Sequence, residues 1–226
     1  MLFLGQDFDL GRFTAFIIVA FFAFAYHEFG HAIVADRLGD MTPRRHGRIT
    51  LNPIPHISLF GLIMLILVGF GWAMTPVNPN ALRGNPRTSH MLVALAGPAG
   101  NFIMALFFAI PLRLITMGIL DIGALLEIGL SVDWVQWLQY LLFMGVFLNL
   151  FLIAFNLLPV PPLDGFTVLQ GVLPLELASR LEILRPYGML ILLAALFILP
   201  QTGFDIFGVI NNFATTVFRF LVGRSI

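Results

Sequence analysis

His27-Glu28-Phe29-Gly30-His31 sets two imidazoles four residues apart with a carboxylate beside the first. On a helix, residues four apart differ by about 40° in projection and lie one turn apart along the axis. Both rings can then reach one cation, and Glu28 points close to the same face. Zinc accepts neutral imidazole nitrogen, and a carboxylate next to it can take a proton from water and pass it to a leaving amine. So short a pattern also arises by chance. Chance is a poor explanation here because the five residues lie inside the apolar run 13–35. Ionisable groups within a membrane span are expensive and mark functional sites.

Two imidazoles leave a catalytic metal short, since such sites have three protein ligands and one open position. Asp164 is the best third candidate. It follows the apolar run 134–158 behind Pro159-Val160-Pro161-Pro162-Leu163 and precedes Gly165, and the prolines must end or break the preceding helix. It could equally be an ordinary turn aspartate, and the residues alone leave both readings open. His46, His56 and His90 default to surface or loop roles. The absence of Cys excludes thiolate ligands, a cysteine nucleophile and disulfides. Two amides stand out in apolar surroundings. Asn101 closes the segment Gly97-Pro98-Ala99-Gly100-Asn101, where small residues and an amide suit close helix packing in lipid as well as a catalytic role. Asn156 is placed either to donate to a developing oxyanion or to cap a broken helix.

These residues need helices to position them, and the composition says in what solvent. Of the 226 residues, 59% are hydrophobic and only 11% charged, and the net charge is zero. Soluble domains carry about 25% charged residues, so lipid must serve as most of the solvent. A neutral balance gives no reason to expect nucleic acid. The expected architecture is an all-α polytopic membrane protein of about five to six transmembrane or re-entrant segments. The clear spans are 13–35, 91–117 and 134–158, and Trp134, Trp137 and Tyr140 suit a membrane interface. The run 59–74 is short and broken by Gly61, Gly69 and Gly71, which fits a re-entrant hairpin, and 47–58 reads as strand or loop. Two marginal runs, 187–199 and 204–221, follow an amphipathic stretch bearing Glu176, Arg180, Glu182 and Arg185. One domain is expected over 1–226, with a catalytic core over about 13–165 and C-terminal helices over 166–226. The first run exceeds a signal-peptide core and lacks a basic flank, so it is read as a retained span. Arg37, Arg44, Arg45, Arg48, Arg83, Arg87, Arg180 and Arg185 can all share one side, taken as cytoplasmic. That requires the run 59–74 to return to the side it left.

HEFGH in the first span, GPAGN early in a later one and NLLPVPPLDG at the end of the next together resemble the site-2 protease family of intramembrane zinc metalloproteases. The resemblance covers about residues 25–165 and is to a short form without a PDZ or CBS domain. It implies one zinc ion held by His27, His31 and Asp164, with Glu28 as catalytic acid/base. It implies a substrate or oxyanion role for Asn156, eight residues before the ligand Asp. It also implies a membrane re-entrant β element at Gly69–Met74, so Gly71 and Trp72, together with Asn101, are candidate substrate contacts.

The expected activity is hydrolysis of peptide bonds in single-span transmembrane proteins, in contact with membrane lipid, at a cell-membrane site opening to the cytoplasm; self-association is left open. A rhomboid-like serine protease needs an intramembrane Ser-His pair, and the adjacent Ser89-His90 in a polar loop serve poorly. A presenilin-like aspartyl protease needs a partner for Asp164, and none is evident. Two alternatives remain: an inactive family member acting as a binding scaffold, against which the retention of Glu28 argues, and an intramembrane zinc transporter or sensor. The latter would need ligands along a path across the bilayer, and it gives Glu28 no purpose.

Overall fold

The computed structural model describes residues 9–56, 58, 61, 74–127, 129 and 131–223. Three long helices dominate: α1 (Leu10–Arg37), α2 (Pro86–Thr116) and α3 (Val132–Asn156). Each is long and apolar enough to cross a membrane; the shortest, 25 residues, spans about 37 Å at 1.5 Å per residue against a hydrocarbon core of about 30 Å. Polar residues start each one where the first amides lack partners. The side chains of Asp9, Asn85 and Ser131 accept from Arg12 N, from Arg87 N and Thr88 N, and from Trp134 N, respectively. Pro86 at the first position of α2 loses no bond there.

Four shorter helices follow: α4 (Asp164–Val172), α5 (Leu175–Leu181), α6 (Gly188–Phe197) and α7 (Ile206–Val222). At 10 residues, α6 reaches only about 15 Å as α-helix, and 3₁₀ turns at Glu182–Tyr187 and Leu199–Thr202 flank it. In α7 the buried residues Ile206, Ile210, Ala214, Phe218 and Val222 recur every fourth position, a single apolar stripe. Its Ala214, Phe218 and Val222 lie on the main apolar core, formed with Ala105, Phe108, Ala109 and Leu112 of α2 and Leu142, Val146, Leu150 and Ile153 of α3, while Ile206 and Ile210 pack with Phe155, Leu163 and Leu192. The opposite side of α2 exposes Ile103, Phe107, Ile110 and Leu114, spaced four, three and four apart as a lipid-facing row.

The described residues of the stretch, 47–56 and 58, are turn and loop rather than strand, with a single 3₁₀ turn at Ile54–His56, and no strand occurs among the described residues. The β element expected at Gly69–Met74, and with it Gly71 and Trp72, lies outside the described residues. Its flanks are informative. Arg83 N donates to Leu38 O at 2.7 Å, so the chain that leaves the end of α1 returns to the same level before α2 begins.

Candidate metal centre

The centre is built where α1, α2 and the start of α4 meet. On α1 the helical period brings His27 and His31 together, with ring centroids 4.6 Å apart and Nε2 atoms 3.1 Å apart. Asp164, at the first position of α4, completes the group: its Oδ2 lies 3.1 Å from His27 Nε2 and 3.4 Å from His31 Nε2. His27, His31 and Glu28 are buried. The structure therefore brings together the three ligands expected from the sequence, and among the described residues this is the one cluster of three such side chains able to hold a metal ion.

The outer faces of both imidazoles are fixed. His31 Nδ1 donates to the Val93 carbonyl at 2.7 Å, and His27 Nδ1 meets Asn101 Oδ1 at 2.6 Å. A carbonyl oxygen only accepts, so both Nδ1 atoms carry hydrogen and both Nε2 atoms present lone pairs to the shared space. Asp164 Oδ2 is buried without a hydrogen-bond donor.

Three electron-pair donors thus crowd one point with no hydrogen between them. Tetrahedral zinc with ligands at about 2.0–2.1 Å requires ligand–ligand edges of about 3.3 Å, and the observed edges of 3.1 to 3.4 Å match. The donors are two nitrogens and a carboxylate oxygen, the composition of a catalytic site with an open fourth position. The residues fit zinc.

Glycines make the room. A Cβ on Gly97 would lie 2.5 Å from His31 Nε2 and 2.6 Å from His27 Nε2, in the space between the rings. On Gly30 it would come within 2.2 Å of Ala96 O, and on Gly100 within 2.5 Å of Tyr26 O. The backbones of α1 and α2 touch along this line, as small residues allow between helices in lipid. The segment GPAGN is thus both a packing seam and the wall of the metal site.

α4 is held at its far end too. Arg87 of α2 donates to the carbonyls of Gln170 at 2.6 Å and of Leu173, satisfying the open end of the helix that carries Asp164. Outside α4, Arg87, His90, Gln170, Glu182 and Arg185 line a cleft of about 580 Å³ that none of the three ligands enters.

Asn101, expected as a substrate contact, lies fully buried behind His27 with both amide hydrogens engaged, one by Ala23 O and one by Asn149. Asn156 donates to Leu152 O one turn back, which ties it to its own helix. His56 is not on the surface. It is 1% exposed, donates from Nε2 to Thr50 O at 2.9 Å and packs edge-on to Phe29. Burial lowers its pKa. Sequence reasoning did not single out Val93, whose backbone role leaves no residue signal. It also passed over Thr75, whose hydroxyl donates to the Glu28 carbonyl at 3.1 Å. Asn149 was findable: it is a bare amide inside the apolar run 134–158.

Helices of membrane length around a buried two-histidine, one-aspartate cluster with a neighbouring glutamate define a membrane metalloprotease. The chain belongs to Peptidase family M50, whose model matches residues 15–198, and this bears out the resemblance to site-2 proteases. It is similar to a protein provisionally named zinc metalloprotease YwhC from Bacillus subtilis (strain 168), 35% identical over 196 residues that cover 86% of this chain and 85% of that one. It is also similar to two proteins provisionally named zinc metalloprotease Rip2. That from Mycolicibacterium smegmatis is 32% identical, over 75% of this chain and 61% of its own. That from Mycobacterium tuberculosis (strain H37Rv) is 33% identical, over 81% and 66%. No solved structure matches with significance.

Proposed function

We propose that the protein is an intramembrane zinc endopeptidase that cuts single-span membrane proteins, with zinc held by His27, His31 and Asp164. The observation that carries this reading is the convergence of His27 Nε2, His31 Nε2 and Asp164 Oδ2 within 3.4 Å of one another. Both imidazoles are locked from behind in the ligating tautomer, and Glu28 is next in the chain. Zinc bound there supplies Lewis acidity to a water and to the scissile carbonyl.

Glu28 Oε2 is buried and has no hydrogen-bond partner, so it is free to act. Glu28 takes a proton from the attacking water and delivers it to the leaving nitrogen, so that the C–N bond breaks and the amine departs neutral. Asn156, at the end of α3, is the candidate donor toward the carbonyl oxygen. Substrate residues must unwind to expose the bond, and the segment around Gly71 and Trp72 is the candidate to hold them by strand addition. The centre opens toward the cytoplasm: the Arg-rich segments 37–48 and 83–87 lie at its end of the bundle, as the positive-inside bias requires.

The test uses purified protein in liposomes with a single-span substrate. Wild type cuts and retains zinc. Glu28→Gln retains zinc and loses cleavage by about 100- to 10,000-fold. A Glu28→Gln variant that cuts at the wild-type rate rejects the mechanism, and zinc flux without cleavage favours a transporter.

A further inference from the structure

We propose that Asn149 of α3, which touches neither metal ligand nor reacting atoms, is a positioning residue of the metal centre. It holds Asn101 in the one orientation that keeps hydrogen on His27 Nδ1 and the lone pair on Nε2. The inference rests on the zinc-site reading above.

The argument is a count of donors and acceptors. Asn149 Nδ2 donates to Gly145 O, one turn back on its own helix, at 2.7 Å. A backbone carbonyl can only accept, so the amide cannot be turned round, and Oδ1 must face α2. There it accepts from Asn101 Nδ2 at 2.9 Å. The other hydrogen of that nitrogen goes to Ala23 O at 3.0 Å. Ala23 lies one turn before His27 on α1. Asn101 is therefore also fixed: its nitrogen faces two acceptors, and its oxygen is left to receive His27 Nδ1–H at 2.6 Å.

Asn101, Asn149 and Ala23 are all 0% exposed. No water replaces a missing partner, and an unmet buried donor costs about 1–3 kcal/mol. The chain of amides runs from α3 through α2 to α1 and ends on the ring that binds the metal.

Without the Asn149 oxygen, Asn101 has a hydrogen with no acceptor. Only Ala23 O then still opposes turning the amide over, and the turned amide points an N–H at His27 Nδ1. That favours the other tautomer, with hydrogen on Nε2, which cannot ligate. Outer partners of metal-bound histidine contribute in this way about 10- to 100-fold in metal affinity.

The test measures zinc affinity of the full-length protein in detergent by competition with a chelator, with thermal melting in parallel. Asn149→Leu keeps the size and removes the polar group; the expected result is about 10- to 100-fold weaker zinc binding. In Asn149→Asp, burial keeps the carboxyl neutral. Its hydroxyl can donate to Gly145 O and its carbonyl oxygen can accept from Asn101, so most of the affinity returns. A purely structural role predicts no such rescue: the two variants would lose affinity in step with melting temperature, and that result overturns the proposal. So does wild-type affinity in Asn149→Leu. A wild type that binds no zinc sinks the metal-centre reading itself, and Asn149 with it; zinc-binding wild type with an indifferent Asn149→Leu sinks only the role of Asn149.

Discussion

The two halves of α2 face different neighbours and are built on opposite rules. From Pro86 to Asn101 the helix meets α1, α4 and, at Asn149 alone, α3 with glycines, a proline and an amide, and its backbone carbonyl at Val93 serves an imidazole. From Ala105 to Leu112 it meets α3 and α7 with apolar side chains alone. The first half fixes positions through contacts that leave no spare volume. The second half supplies cohesion through packed area. In lipid the distinction sharpens, since tails are as apolar as the core and packing rather than water exclusion drives association. Substitutions in the first half should therefore cost function before stability, and those in the second half stability before function.

The largest effect is expected at Gly97. In Gly97→Ala the new methyl would sit 2.5 Å from His31 Nε2 and 2.6 Å from His27 Nε2, closer than any real contact, and neither ring can retreat because each is bonded from behind. Zinc per chain should fall below one tenth of the wild-type value and cleavage should vanish, while helical content by circular dichroism is unchanged. Retention of stoichiometric zinc would show that the first half has slack and would break the comparison.

Phe108→Ala is the complementary case. Its ring fills the notch at Gly145, where a Cβ would come within 2.2 Å, and truncation leaves a cavity worth about 3–5 kcal/mol. The melting temperature in detergent should drop markedly, with zinc affinity at a permissive temperature within twofold of wild type. A large loss of zinc with little loss of stability would mean the two halves are mechanically one.

The legibility of each region follows from this difference. The pair His27 and His31 was readable because helical spacing alone puts residues four apart on one face. The three spans were readable from composition and length. Asp164 was not readable from its residues alone, because 133 positions separate it from His31. Only the folded return of α3 brings it back, and the family resemblance stood in for that return. Asn101 was recognised as a buried amide but assigned toward the substrate. Sequence gives the face of a helix but not which neighbour stands opposite, and the partner proved to be the far side of His27. Asn149 and Asn156 are seven apart, two turns on one helix face, yet one lies at the level of Asn101 and the other at the helix end. Depth along a helix axis acquires meaning only once the neighbouring helices are placed.

The smallest effect, at Asp40, tests how far the geometry-critical region extends past the helices. Asp40 is 0% exposed just beyond α1, and its carboxylate accepts from Thr42 N at 2.9 Å and from Asn78 N at 2.7 Å. It thereby ties the segment carrying Thr75, which touches the Glu28 carbonyl, to the end of the ligand helix. Burial by itself would raise the Asp40 pKa, but these hydrogen bonds and Arg45 hold it below the ordinary value. A carboxyl depressed on folding stabilises fully above its unfolded pKa of about 3.9, and that contribution is lost as pH falls through the lower folded value. Asp40→Asn should cost about 1–3 kcal/mol at neutral pH by setting an amide donor against backbone N–H groups. The melting difference from wild type should stay flat down to about pH 4 and close only below it. If the anchor serves the loop alone, zinc affinity is unchanged. A loss of zinc affinity comparable to that of Asn149→Leu would extend the first half of the comparison to the chain that follows α1 and would make the docking of residues 74–78 part of the metal site's support.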